Sequence, residues 1–318
     1  MNHNQKLHHP SLLAVWPGMG AVATSAGYYL ISKLGMHLHT EYPPQKFFEL
    51  SHVDVKSGLI QSARLPRSRL FVWHDPHAQH DLLVFIGEAQ PAAMSNDFCN
   101  NLISHAKRLG VKDVFTFAAI ATRMRPENTS RVFGAAIDRR HLSTFRSAQV
   151  ELLDEGRISG LNGVLLEIAA ESGMLGGCLL GEMPFAFPQL PFPKASLAVL
   201  TTFTQILGIE LDFGELRHQA ERMENELGKL LHDLEDAIEQ HGEVLPSEGS
   251  TEADAETEPD EPMLSTDDQV KIEDLFASAR EDRARAYELK QELDRLKVFH
   301  AYEDRFLDLF KKPNSDHD

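Results

Sequence analysis

Residues 12–34 constrain the fold more than any other stretch of this chain. Leu12 to Trp16 is an unbroken apolar run, the pattern of a strand covered on both faces. Pro17, Gly18 and Gly20 interrupt it, and glycine supplies the backbone freedom that a sharp strand-to-helix turn needs. Ala21 to Leu34 then sets Val22, Ala26, Tyr29, Leu30 and Lys33 at helical spacing, with Ala23, Ser25, Ala26 and Gly27 small enough for close packing on a sheet. A buried strand followed by a crossover helix opens an α/β domain. The same turn, Gly18-Met19-Gly20-Ala21-Val22-Ala23, fits the G-x-G-x-x-G/A dinucleotide fingerprint, and Glu41 lies roughly where its ribose-binding acid would stand. A lone match is weak. Pro17 stands inside the turn, and an α/β domain needs small residues here for packing alone.

The remainder of the first two-thirds repeats the alternation. Strands are expected at 36–42, 47–55, 59–65, 69–73, 81–87, 114–121, 131–137, 150–153 and 175–180. Of these, 81–87, 114–121 and 131–137 are the further central strands. Helices are expected at 92–109, 139–147, 161–172 and 195–207, the last introduced by prolines at 184, 188, 191 and 193. Strands alternating with helices imply a three-layer, mostly parallel sheet.

Beyond Asp212 the pattern changes. Leu216, Ala220, Met223, Leu227, Leu230, Leu234 and Ala237 recur with 4-3 spacing, a heptad seam. Glu243 to Pro262 holds eight acids and no base, and reads as a disordered linker. Residues 267–311 read as one long helix with a stripe at Leu275, Ala279, Ala286, Leu289, Leu293 and Leu296 and an aromatic end at Phe299, Tyr302, Phe306, Leu309 and Phe310. The two seamed helices can pair as an antiparallel hairpin, meet copies in other subunits, or serve as an adaptor. The expected divisions are a flexible terminus at 1–11, an α/β domain at 12–212, a heptad helix at 213–242, an acidic linker at 243–266 and a C-terminal amphipathic helix at 267–312.

The formal net charge of −17 argues against nucleic acid or an anionic membrane as partner. No apolar run approaches the ~20 residues of a membrane span, and Met1 to Ser11 lacks the apolar core of a signal peptide. Cys99 and Cys178 stand in apolar contexts and read as buried reduced thiols. A soluble, cytoplasmic protein is expected.

Catalytic patterns are scarce. His74, His77 and His80 follow a His-x-x-His-x-x-His spacing, but Pro76 makes the segment a turn, and no fourth ligand is fixed nearby. Glu167 and Glu171 lie one helical turn apart on what reads as a solvated face. Glu182 ends a strand, where α/β proteins often place sites, and is the one carboxylate to inspect. No metal, cofactor or catalytic residue is assigned.

Several segments in order carry a resemblance. They are Trp16-Pro17-Gly18-Met19-Gly20, Phe85-Ile86-Gly87-Glu88-Ala89-Gln90-Pro91, Arg125-Pro126 before Val132-Phe133-Gly134-Ala135-Ala136, Gly156-Arg157-Ile158-Ser159-Gly160-Leu161-Asn162-Gly163, and Gly181-Glu182-Met183-Pro184. Over residues 12–240 the chain resembles the proteasome assembly chaperone 2 family in its broad archaeal and bacterial sense. The resemblance implies a fold similar to purine nucleoside phosphorylases without their catalytic residues, self-association, and a chaperone-like role on proteasome-type complexes. Some members of the wider group end in a hydrophobic–tyrosine–any-residue tail that docks on the proteasome. The sequence here ends Ser315-Asp316-His317-Asp318. Two readings follow: a non-enzymatic, ATP-independent assembly or scaffold protein, and a nucleoside- or nucleotide-binding enzyme or sensor using the phosphorylase-like cleft.

Overall fold

The computed structural model describes residues 7–49, 53–56, 58–241 and 264–311. Its centre is an eight-stranded sheet in the order β2-β5-β6-β1-β7-β10-β8-β9. The strands are β1 (Ser11–Val15), β2 (His37–Tyr42), β5 (Ser68–Trp73), β6 (Leu82–Gly87), β7 (Asp113–Thr122), β8 (Val132–Ala136), β9 (Glu151–Leu152) and β10 (Leu175–Pro184). β1, β6, β7 and β10 are mutually parallel and form the middle, while β5 and β8 run against them. The strand expected at 131–137 is therefore not central. β8 lies antiparallel to β10, next to the edge strand β9.

Alternation along β1 distributes the core. Leu13 and Val15 join one apolar cluster, and Leu12 and Ala14 join the other. Under the second cluster lie α2 (Ser95–Arg108) and α4 (Gly160–Glu171), through Phe98, Leu102, Leu161 and Leu165. The first cluster is covered by α1 (Val22–Lys33), α3 (Arg139–Ser147) and α5 (Pro193–Leu207), with Phe115 and Phe117 meeting Phe203 edge-on. This is the three-layer, mostly parallel architecture expected.

β3 (Val53–Lys56) and β4 (Leu59–Ser62) form a hairpin of their own, outside the sheet. The expected strand at 47–55 does not begin at 47, where Pro44–Lys46 forms a 3-10 turn and Phe47 meets Phe98 edge-on; its residues 50–52 lie outside the described residues, and β4 ends at Ser62, short of the expected 65.

The heptad helix is α6 (Gly214–His241). Leu216, Ala220 and Leu227 are buried in the body of the domain, where α6 packs along α5. The first half of the seam thus faces the protein's own third layer. Residues 267–311 are not one helix but three: α7 (Thr266–Glu281), α8 (Ala286–Arg295) and α9 (Phe299–Asp308). Asp282 breaks the first junction. It is extended (φ −132°, ψ 106°), and its side chain accepts from the Ala284 amide. Lys297, at φ 58°, turns the second. The three helices pack on α1 and the β2–β5 side of the sheet. Tyr287 meets Tyr29 edge-on at 4.5 Å, Phe306 meets Tyr28 at 5.9 Å, and the Leu38 amide donates to the Phe310 carbonyl over 2.9 Å. The linker expected at 243–266 lies outside the described residues up to 263, as does most of the expected flexible terminus.

Candidate functional site

Strand register defines two ends of the sheet. Tyr42 pairs with Ser68 and Ser68 with Gly87, so β2 and β6 finish level. β7 and β10 continue past β1 as a paired ribbon, from Ala118–Leu180 to Thr122–Pro184. The loops after β1, β2, β6, β7 and β10 all leave from this carboxyl edge.

The exposed apolar side chains collect there. Met19 follows β1, the β3–β4 hairpin follows β2, Met94 follows β6, and Phe185 and Leu190 follow β10. Val55 faces Ile60 across the hairpin, and Val53 lies on the same face. These three are 68, 76 and 53 % exposed. The outer half of α6 belongs to the same edge, since Lys194 at the start of α5 pairs with Glu224 at 2.6 Å and Arg125 in the β7–β8 loop grips Glu235 at 2.8 and 3.2 Å. Leu230 and Leu234 are exposed on that half of the seam. Among the described residues, every exposed large apolar side chain except Val270 lies on these segments. Monomeric surfaces seldom concentrate apolar groups in this way.

Polar contacts hold the edge in shape. Glu182, 2 % exposed, receives Arg131 through Nε at 2.8 Å and Nη2 at 2.6 Å, and the Thr122 hydroxyl at 2.7 Å. The Arg131 hydrogen bonds hold its carboxyl below the usual range, against the opposing effect of burial. A carboxylate engaged in this way is an ion-pair clamp between β7, β8 and β10. The Ser130 hydroxyl adds a bond to the Glu182 carbonyl at 2.5 Å.

The glycine turn is filled by its own chain. The Gly20 amide donates to the Pro188 carbonyl over 2.9 Å, and the Phe192 amide donates back to the Gly20 carbonyl over 2.9 Å. Gly20 is left-handed, at φ +61°. A Cβ there would stand 2.8 Å from the Met183 sulfur, whereas around Gly18 nothing lies within 4 Å. The fingerprint thus fits a packing turn that anchors the 185–192 loop. Glu41 is engaged by Arg67 at 2.6 Å through both of its carboxylate oxygens.

The other sequence candidates are apart. Asp75 accepts from the amides of His77, Gln79 and His80, which makes the histidine segment a turn at the opposite edge. Among the described residues no group of three metal-ligating side chains gathers. Glu167 and Glu171 are exposed on α4. Cys99 and Cys178 are free and buried, and burial pushes both thiols up to about 12. Among the described residues no helix is long and apolar enough to cross a membrane.

A charged cluster that the sequence reading missed fixes α9 to the sheet. Arg69, 1 % exposed, holds Glu88 at 2.9 Å and also Asp304 of α9; Arg67 reaches Asp304 at 2.7 Å, and Arg64 reaches both acids. Beside it Tyr28 donates to Glu303. Nothing local signals these pairs, because their members are up to 240 residues apart.

The sequence pattern of the PAC2 family matches residues 12–231, from the first strand into α6. The chain belongs to the PAC2 family. Similar solved structures include PbaB of Pyrococcus furiosus, an archaeal proteasome activator (24 % identity, TM-score 0.60, covering 71 % of this chain and 95 % of that one). A proteasome-assembly chaperone homologue of Mycobacterium tuberculosis is similar at 20 % identity and TM-score 0.60, over 69 % of this chain and 94 % of that one. An uncharacterized protein of Methanocaldococcus jannaschii is 23 % identical over 251 residues, 77 % of this chain and 92 % of its own. The PAC2 match stops before α7, so the three C-terminal helices are an addition to the family's matched core.

Proposed function

We propose that this PAC2 protein is a non-enzymatic, ATP-independent assembly-chaperone-like or scaffold protein. It acts through protein–protein contacts at the carboxyl edge, in a homo-oligomer, and its candidate target is a proteasome-type complex. One observation carries this reading: the exposed apolar side chains converge on a single edge, from the connections after four strands and the outer half of α6. An isolated two-stranded hairpin is marginal in water, so an apolar hairpin face asks for a partner to cover it. The likeness to a proteasome activator and to a proteasome-assembly chaperone homologue supports the choice of target class. The filled glycine turn and the clamped Glu182 favour this reading over a nucleotide-binding one.

The test is native mass spectrometry of the purified chain, alone and mixed with proteasome subunits, with and without ATP. The account expects oligomers of the chain and a mixed complex that forms equally in both conditions. Strict dependence on ATP, or a monomer that forms no complex, contradicts it.

A further inference from the structure

The opposite edge of the sheet carries a separate feature. A basin of about 360 Å³ opens where β1 and β7 begin, at Ser11 and Asp113. Its polar wall holds Lys112, Arg140, His9 and His80, with Asp113 as its one carboxylate, and Ile206 and Leu207 at the end of α5 form an apolar side. In a chain with 48 acids and 31 bases, a cavity with this balance selects for anions.

Two features make the basin more than a chance gathering of surface charges. First, buried Asp81 organises two of its walls. Its carboxylate accepts the His8 amide at 2.9 Å and the Asp75 amide at 3.0 Å, its own amide donates to the His8 carbonyl at 2.8 Å, and its carbonyl accepts from Ser11 at 3.0 Å. This ties the N-terminal segment to the histidine turn, and His9, between the bonded His8 and Ser11, is left-handed at φ 40°. Strained non-glycine residues persist where the surrounding structure fixes them, often at ligand sites. Second, Asp138 is taken up by His141 at 2.8 Å, while Asp113, the basin's own carboxylate, lies 3.5 Å from the same ring with its Oδ1 buried and making no hydrogen bond. Among the described residues Lys112 and Arg140 make no ion pair, so their charges remain for a ligand.

We infer that this amino-edge basin binds a small phosphomonoester. Lys112 and Arg140 would take the phosphate, which suits charge-assisted hydrogen bonds from a point charge and a planar fork. The imidazoles add donors, the outer side of Asp113 accepts from a ligand hydroxyl, and the organic part lies on Ile206 and Leu207. The site is on the far side of the sheet from the apolar edge and stands whether or not the assembly role does.

The test is calorimetric titration of the full chain with ribose 5-phosphate as probe, beside inorganic phosphate and ribose. The inference expects saturable binding of the ester, none of ribose, and weaker binding of phosphate. Lys112→Ala combined with Arg140→Ala removes two exposed side chains and should weaken the ester at least about tenfold. Lys107→Ala with Arg108→Ala, the same charge change on α2, should leave it unaltered. Absence of saturable binding, phosphate binding as tightly as the ester, or equal losses in the two double variants would each overturn the inference.

Discussion

The amide of Gly20 donates to the carbonyl of Pro188 over 2.9 Å, and this bond joins the turn after the first strand to the loop after the last. It accounts for the glycine at that position without a ligand. Because Gly20 is left-handed and Met183 crowds its missing Cβ, Gly20→Ala should destabilise the protein by about 1–2 kcal/mol. Gly18 has φ −170° and open space around it, so Gly18→Ala should be neutral within about 0.5 kcal/mol. Urea unfolding of the two variants checks this. Equal effects would point to a shared role for both glycines, as in a phosphate loop.

Glu182 gives a pH-dependent prediction. Its carboxyl is held low in the folded chain, chiefly by Arg131, so it contributes stability above its unfolded pKa and loses it as pH falls through the folded value. Arg131 is half-exposed, which screens the pair. Glu182→Gln should therefore cost about 1–2 kcal/mol at pH 7, and the gap from wild type should close on acidification toward pH ~3. Denaturant midpoints across that range provide the measurement. A gap that widens in acid would give Glu182 a raised pKa and contradict the clamp.

The α9 anchor can be tested with one buried and one exposed pair. Asp304→Asn deprives fully buried Arg69 of one of its carboxylates and should cost about 2 kcal/mol. Glu288→Gln, in the exposed Arg285–Glu288 pair, should cost less than about 0.5 kcal/mol. A chain stopped at residue 241 should aggregate, since Tyr28, Tyr29 and Phe71 would lose the aromatic cover of α7–α9. Thermal unfolding of the point variants and sedimentation of the shortened chain read these out. A soluble, cooperatively melting short chain would show that the C-terminal helices are dispensable.

The apolar runs at Leu12–Trp16 and Leu82–Ile86 made the central strands legible, because strands buried on both faces leave a continuous hydrophobic signature. The orientation of β8 was not legible, since direction depends on where the chain returns and not on local pattern. The heptad spacing in α6 was real, but a seam does not say what covers it: Leu216 and Leu227 join the domain's own core, while Leu230 and Leu234 stay open. The break in 267–311 was foreshadowed by a gap. Between Ala279 and Ala286 the stripe misses its apolar residue, and Asp282 stands there as a cap for the following turn. The site was only half visible. Glu182 was legible as a carboxylate near a strand end, but its partner Arg131 lies 51 residues away. The apolar edge exists only once the register brings four connections and the outer half of α6 to the same end.

The account rests on that edge. Its most direct test is a variant carrying Val55→Lys, Ile60→Lys and Phe185→Asp, three exposed positions whose change leaves the core intact. Complex formation with proteasome subunits, followed by native mass spectrometry without nucleotide, should be lost in the variant while its melting temperature stays within a few degrees of wild type. An unaltered complex would remove the carboxyl edge from the interaction and contradict the account.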